Sequence, residues 1–161
     1  MRPQPFSTEP WGDQDHFVRN SETGLLWHRV AHRPLYADTD RSQVVYHANY
    51  LRYFELGRAT LMRDVAYPYR AVEDAGFVYP IIDLQMRFHK PLYYDDLMWV
   101  HTRPIGLERI KVRFEYVITY GETGELVCTG YTYHCAINKS GVPVAVDEMT
   151  VAMWNEFPRA E

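Results

Sequence analysis

Tyr36-Ala-Asp38-Thr-Asp40-Arg-Ser-Gln43-Val-Val-Tyr-His47-Ala-Asn49-Tyr50 is a polar, turn-forming run that leads straight into an apolar-periodic helix. Asp, Thr and Ser in its first half bend the chain. Asn49 stands at the N-cap position of that helix, and Leu51, Phe54, Leu61, Met62 and Val65 recur at three- and four-residue spacing. The spacing predicts a helix from Asn49 through about Val65, with Arg52, Arg58, Arg63 and Asp64 on its opposite side. A carboxylate pair thus precedes a helix start that carries His47. A carboxylate aimed at the positive end of a helix is suited to attacking a carbonyl and holding the oxyanion that forms.

Upstream, Leu26 to Tyr36 reads as a strand anchored by Trp27, Val30 and Leu35, with Pro34 marking an edge or an end. Residues 1–26 lack steady periodicity and read as an N-terminal extension, with Trp11 and Phe17 arguing that part of it docks. Residues 27–161 form the domain. Downstream, Pro68 ends the long helix, and a short helical turn runs from Tyr69 to Ala75 before Gly76. The texture then changes to strands: Val78–Phe88, Leu97–Pro104, Ile110–Ile118 and Leu126–Asn138. The third alternates most clearly, with Ile110, Val112, Phe114 and Tyr116 on one face and Lys111, Arg113 and Glu115 on the other. Gly121-Glu-Thr-Gly124 forms a hairpin turn, and an amphipathic tail, Met149–Phe157, closes the chain. One front helix and then four long strands predict an α+β fold, an antiparallel sheet wrapped around a single central helix.

At 161 residues the chain fits one domain with a sizeable core. The formal net charge of −4 argues against a nucleic-acid surface. Thirteen Tyr and four Trp suggest interfaces or a ligand groove as well as packing. No run approaches the ~20 apolar residues of a membrane span, which predicts a cytoplasmic protein. Cys128 and Cys135, seven apart on one strand, point to opposite faces and read as free thiols. The seven His are scattered without zinc spacing, so neither metal nor cofactor is expected.

The order strand, Asp-containing loop, central helix and antiparallel meander resembles the hotdog fold. The run Tyr36-x-Asp38-x-Asp40 through Val44-Val45-Tyr46-His47-x-Asn49-Tyr50 to Phe54-Glu55-x-x-Arg58 is similar to the signature of the 4-hydroxybenzoyl-CoA thioesterase family. It is closest to the acyl-CoA thioesterase branch encoded with the Tol–Pal cell-envelope genes, and the resemblance spans about His28 to Asn155. The resemblance implies that Asp40 is the catalytic carboxylate, that Tyr36 and His47 also have catalytic roles, and that amides at the helix start hold the thioester oxygen. It further implies dimers that pair sheets edge to edge, with the site at the subunit boundary, often doubled to tetramers. The chain departs from the pattern at Gln43, where the family has Gly, a residue that permits positive φ.

Thioester hydrolysis needs an activated water or a nucleophile and a donor for the oxyanion. Asp40 suits either the base or the nucleophile role, and His47 either orients substrate or lends its amide. Asp38 reads as structural, and Glu55 as a helix salt bridge to Arg58 or Arg52. Coenzyme A carries phosphates, so a basic rim is expected: Lys90 first, then Arg87, with His89, Arg109, Lys111 and Arg113 nearby. Asn49 and Tyr50 complete the expected substrate-binding set. The expected activity is hydrolysis of an acyl-CoA to free acid and CoA by a homodimer or homotetramer. A carrier-protein thioesterase, a dehydratase or hydratase, and a noncatalytic acyl-CoA-binding protein are the alternatives.

Overall fold

The computed structural model describes residues 3–157. The apolar spacing yields a 15-residue helix, α1 (Tyr50–Asp64), whose buried face is Tyr50, Tyr53, Phe54, Gly57, Leu61 and Met62. Phe54 and Leu61 are fully buried, and Phe54 stacks flat on Tyr116 with centroids 4.2 Å apart. Gly57 sits in the same stripe where the helix crosses the sheet. A Cβ there would come within 2.4 Å of Thr102 Oγ1 and 2.8 Å of Val100 Cγ1. The missing side chain sets how closely the helix lies on the sheet.

The strands are β1 (Thr8–Pro10), β2 (Phe17–Asn20), β3 (Leu26–His32), β4 (Phe77–Val78), β5 (Ile81–Phe88), β6 (Met98–Ile105), β7 (Lys111–Tyr120), β8 (Leu126–Cys135) and β9 (Ile137–Asn138). Two shorter helices, α2 (Tyr69–Asp74) and α3 (Glu148–Glu156), flank the sheet. Among the described residues seven strands form one sheet in the order β1-β2-β3-β6-β7-β8-β5, and β4 pairs separately with β9. Every pairing is antiparallel. A large antiparallel sheet with one long helix on it is the α+β hotdog arrangement.

Three details differ from the expectations set by the sequence. The strand expected over Val78–Phe88 is split at Tyr79-Pro80, because Pro80 has no N–H to continue a ladder. The strand expected over Leu126–Asn138 breaks at Ala136, whose amide turns to the Ile110 carbonyl at 2.7 Å. The extension is not merely docked: β1 and β2 lengthen the main sheet beyond β3. Val18, Trp27 and Val117, with Phe6 and Leu126, form a second small cluster around these strands. This explains why Val117 is buried although simple alternation would turn it to solvent.

The two sheet edges are unlike each other. β1 is short and polar, whereas β5 is eight residues long and exposes Ile81, Ile82, Leu84 and Phe88. Its outer backbone edge has no strand beside it among the described residues.

Candidate active site

The candidate residues lie on the loop between β3 and α1. A 3-10 turn, Tyr36–Asp38, opens it, and a second, His47–Asn49, runs directly into α1. Thr39 between the carboxylates is extended, with φ −92° and ψ 157°, so their side chains diverge. Asp38 is 3% exposed, while Asp40 faces solvent.

Asp40 sits in a tight turn. Its amide donates to the Val44 carbonyl at 3.0 Å, and the Gln43 amide donates back to the Asp40 carbonyl at 2.9 Å. The Ser42 amide donates to Asp40 Oδ1 at 2.7 Å, leaving the other carboxylate oxygen for a reacting partner. Gln43 occupies φ +68°. Gln43 therefore holds the left-handed conformation that a Gly would adopt freely.

Asp38 is the anchor of the loop. Its carboxylate accepts the Leu35 amide (3.0 Å), the Tyr53 hydroxyl (2.8 Å) and Arg52 Nη1 (3.2 Å). Its carbonyl accepts the Tyr46 amide (2.9 Å) and the Asn49 side-chain amide (2.8 Å). Burial, and then the bond to Asp38, push the Tyr53 phenol well above its usual range. Asn49 precedes α1 as expected but does not cap it with its side chain, which is spent on the Asp38 carbonyl. The His47 and Ala48 amides take no partner among the described residues.

Tyr36 is 78% exposed, its ring 5.9 Å from that of Tyr94. His47 is exposed beside Tyr46, ring centroids 4.3 Å apart. Among the described residues no hydrogen bond joins Tyr36, Asp40 and His47. Tyr50 is buried between Tyr53 and Phe88, and burial pushes its phenol up to about 12. The salt bridge expected for Glu55 is absent among the described residues. Arg52 turns instead to buried Asp38, while the Tyr116 hydroxyl in the core bonds Thr132 at 2.7 Å.

The basic residues divide. Arg87, His89 and Arg113 line one open groove of about 570 Å³ on the sheet. Lys90 is ion-paired with Glu125. A separate cavity of about 210 Å³ lies behind the middle of α1, between Arg58, Met62, Val72, Phe114, His134 and Trp154. His134 there is neutral: burial pushes it down to about 4, and its ring bonds the Tyr79 carbonyl (2.9 Å) and Thr132 (2.8 Å). Among the described residues no three His, Cys, Asp or Glu side chains group as metal ligands.

Sequence reasoning missed the support beneath the loop, namely Tyr53 and Arg52 on Asp38. Helical spacing marked Arg52 as solvent-facing, and nothing local in the sequence pairs either residue with a carboxylate fourteen or fifteen positions earlier.

The pattern of the thioesterase-like superfamily matches residues 34–153. A candidate acyl-CoA thioesterase of Bacillus subtilis, YneP, is 36% identical over 104 residues, covering 65% of this chain and 75% of that protein. The 1,4-dihydroxy-2-naphthoyl-CoA hydrolase of Thermosynechococcus vestitus is 31% identical over 113 residues, 68% of this chain and 77% of that one. The solved DHNA-CoA thioesterase of Staphylococcus aureus superposes with a TM-score of 0.72 at 26% identity, over 82% of this chain and 95% of that chain.

Proposed function

This chain belongs to the thioesterase-like superfamily, and from that premise we propose an acyl-CoA thioesterase that uses Asp40 as its reacting carboxylate. The observation that carries this reading is an exposed carboxylate, fixed through one oxygen by the Ser42 amide, on the same loop as the His47 and Ala48 amides, which take no partner among the described residues in the turn that leads into α1. Asp40 takes a proton from water as the water oxygen attacks the thioester carbon, or attacks that carbon itself to give a mixed anhydride that water then opens. In both routes the carbonyl oxygen becomes an oxyanion held by the His47 and Ala48 amides. The C–S bond breaks, and the CoA thiolate leaves and is protonated. His47 and Tyr36 border the reacting group, while Asn49 and Tyr50 shape its wall from the inner side. Arg87 meets CoA phosphate through charge-assisted bonds, and Lys90 joins it by exchanging Glu125 for phosphate. The finer placement, in the Tol–Pal-associated branch of the 4-hydroxybenzoyl-CoA thioesterase family, rests on the Tyr36–Arg58 signature.

We further propose that the site is completed by a second copy of the chain. The β5 edge, which has no strand beside it among the described residues, and its exposed apolar residues support edge-to-edge pairing.

The decisive assay measures free-thiol release from acyl-CoAs of graded length, with acyl carrier proteins run in parallel. Asp40→Asn should lower turnover by about 10²–10⁴-fold. Undiminished turnover in that variant removes Asp40 from the reaction, and turnover of carrier-bound substrates alone displaces CoA.

A further inference from the structure

We propose that Asp38 is the positioning residue of the site, fixing the relative placement of Tyr36, Asp40 and His47 without touching substrate. This rests on the thioesterase reading. The geometry is specific to the three residues concerned. Asp38 accepts from the amide of Leu35, which directly precedes Tyr36. Its carbonyl accepts from the amide of Tyr46, which directly precedes His47. Asp38 itself stands two residues before Asp40, across extended Thr39. One buried residue therefore holds a chain neighbour of all three candidate side chains.

The same residue ties this assembly to the rigid element behind it. Tyr53 and Arg52, one turn into α1, bond the two carboxylate oxygens at 2.8 and 3.2 Å, and Asn49 at the helix start bonds the carbonyl at 2.8 Å. Tyr53 is buried and packs on Tyr50 and His32, so its hydroxyl is itself held. The amides proposed as oxyanion donors belong to the turn that opens this helix. Asp38 thus sets the distance between the attacking carboxylate and the oxyanion donors. Displacement of a reacting group by about 1 Å is enough to cost ~10²-fold in rate.

The test compares Asp38→Asn, Asp38→Ala and Tyr53→Phe in the intact protein, measuring kcat and KM separately, with backbone hydrogen exchange at Leu35 and Tyr46. Asp38→Ala should lower kcat by about 10²-fold with KM within roughly threefold, and should speed exchange at both amides. Tyr53→Phe removes a single bond and should lower kcat by about tenfold while the protein stays folded; it carries the test if Asp38→Ala fails to fold. Asp38→Asn, which keeps the shape and both acceptor positions in part, should fall between wild type and Asp38→Ala. Wild-type kcat in folded Tyr53→Phe and Asp38→Asn overturns the proposal, as does a loss no larger than the fraction unfolded. Absence of thiol release by the wild-type protein would instead sink the thioesterase reading. The exchange rates would then still report whether Asp38 holds the loop.

Discussion

Gln43 holds a backbone conformation, φ +68°, that disfavours an L side chain by about 1–2 kcal/mol. The turn compels it: the amides of Asp40 and Gln43 both close hydrogen bonds inside Asp40–Val44. Glycine would remove the strain but adds freedom to the unfolded chain, worth about 0.4–1 kcal/mol. Gln43→Gly should therefore raise stability by up to about 1.5 kcal/mol, read as a higher urea midpoint with an unchanged slope. A loss of stability would mean that the Gln side chain makes a contact worth more than the strain. The departure from the family pattern was legible in the sequence, and so was its bearing on φ. Its outcome was not, because the residue alone does not say whether the turn bends to suit the side chain or the reverse.

Among the elements, α3 shows how a short helix is held in place. Asp147 caps it, accepting the Thr150 amide (3.1 Å) and hydroxyl (2.7 Å), while the hydroxyls of Tyr67 and Tyr79 also donate to this buried carboxylate. These bonds hold the Asp147 carboxyl below its usual range despite burial, which opposes them. Asp147→Ala removes a cap worth about 1 kcal/mol and strands two buried phenols at about 1 kcal/mol or more each. A loss of about 3 kcal/mol in chemical denaturation is expected. A loss under about 1 kcal/mol would show that water replaces the carboxylate. The apolar stripe of α1 was readable from spacing because one helix must bury one face. Gly57 within that stripe was passed over, since only the distance to Val100 and Thr102 reveals what its missing side chain permits.

The whole molecule carries an asymmetry that no single element shows. Alternation places Leu84 and Phe88 on one side of β5, and Phe88 packs against Tyr50 of α1, so both face the helix side. They remain about half exposed because α1 does not extend over this edge. If a second copy covers them, light scattering should report a dimer or tetramer, and Leu84→Lys should yield monomers with turnover reduced at least roughly tenfold. A wild-type monomer with full activity would defeat the assembly proposal. By itself the sequence determined the long helix, the antiparallel strands after it and the Asp-containing loop between β3 and α1. Those features are written in periodicity and in motif spacing, which are local properties of a chain. Only the tertiary structure decided that β1 and β2 extend the sheet, that Asp38 turns inward while Asp40 turns out, and that Arg52 abandons Glu55 for Asp38. Each of these depends on which groups meet after long stretches of chain are brought together, where burial makes an unmatched carboxylate or hydroxyl too costly to leave alone.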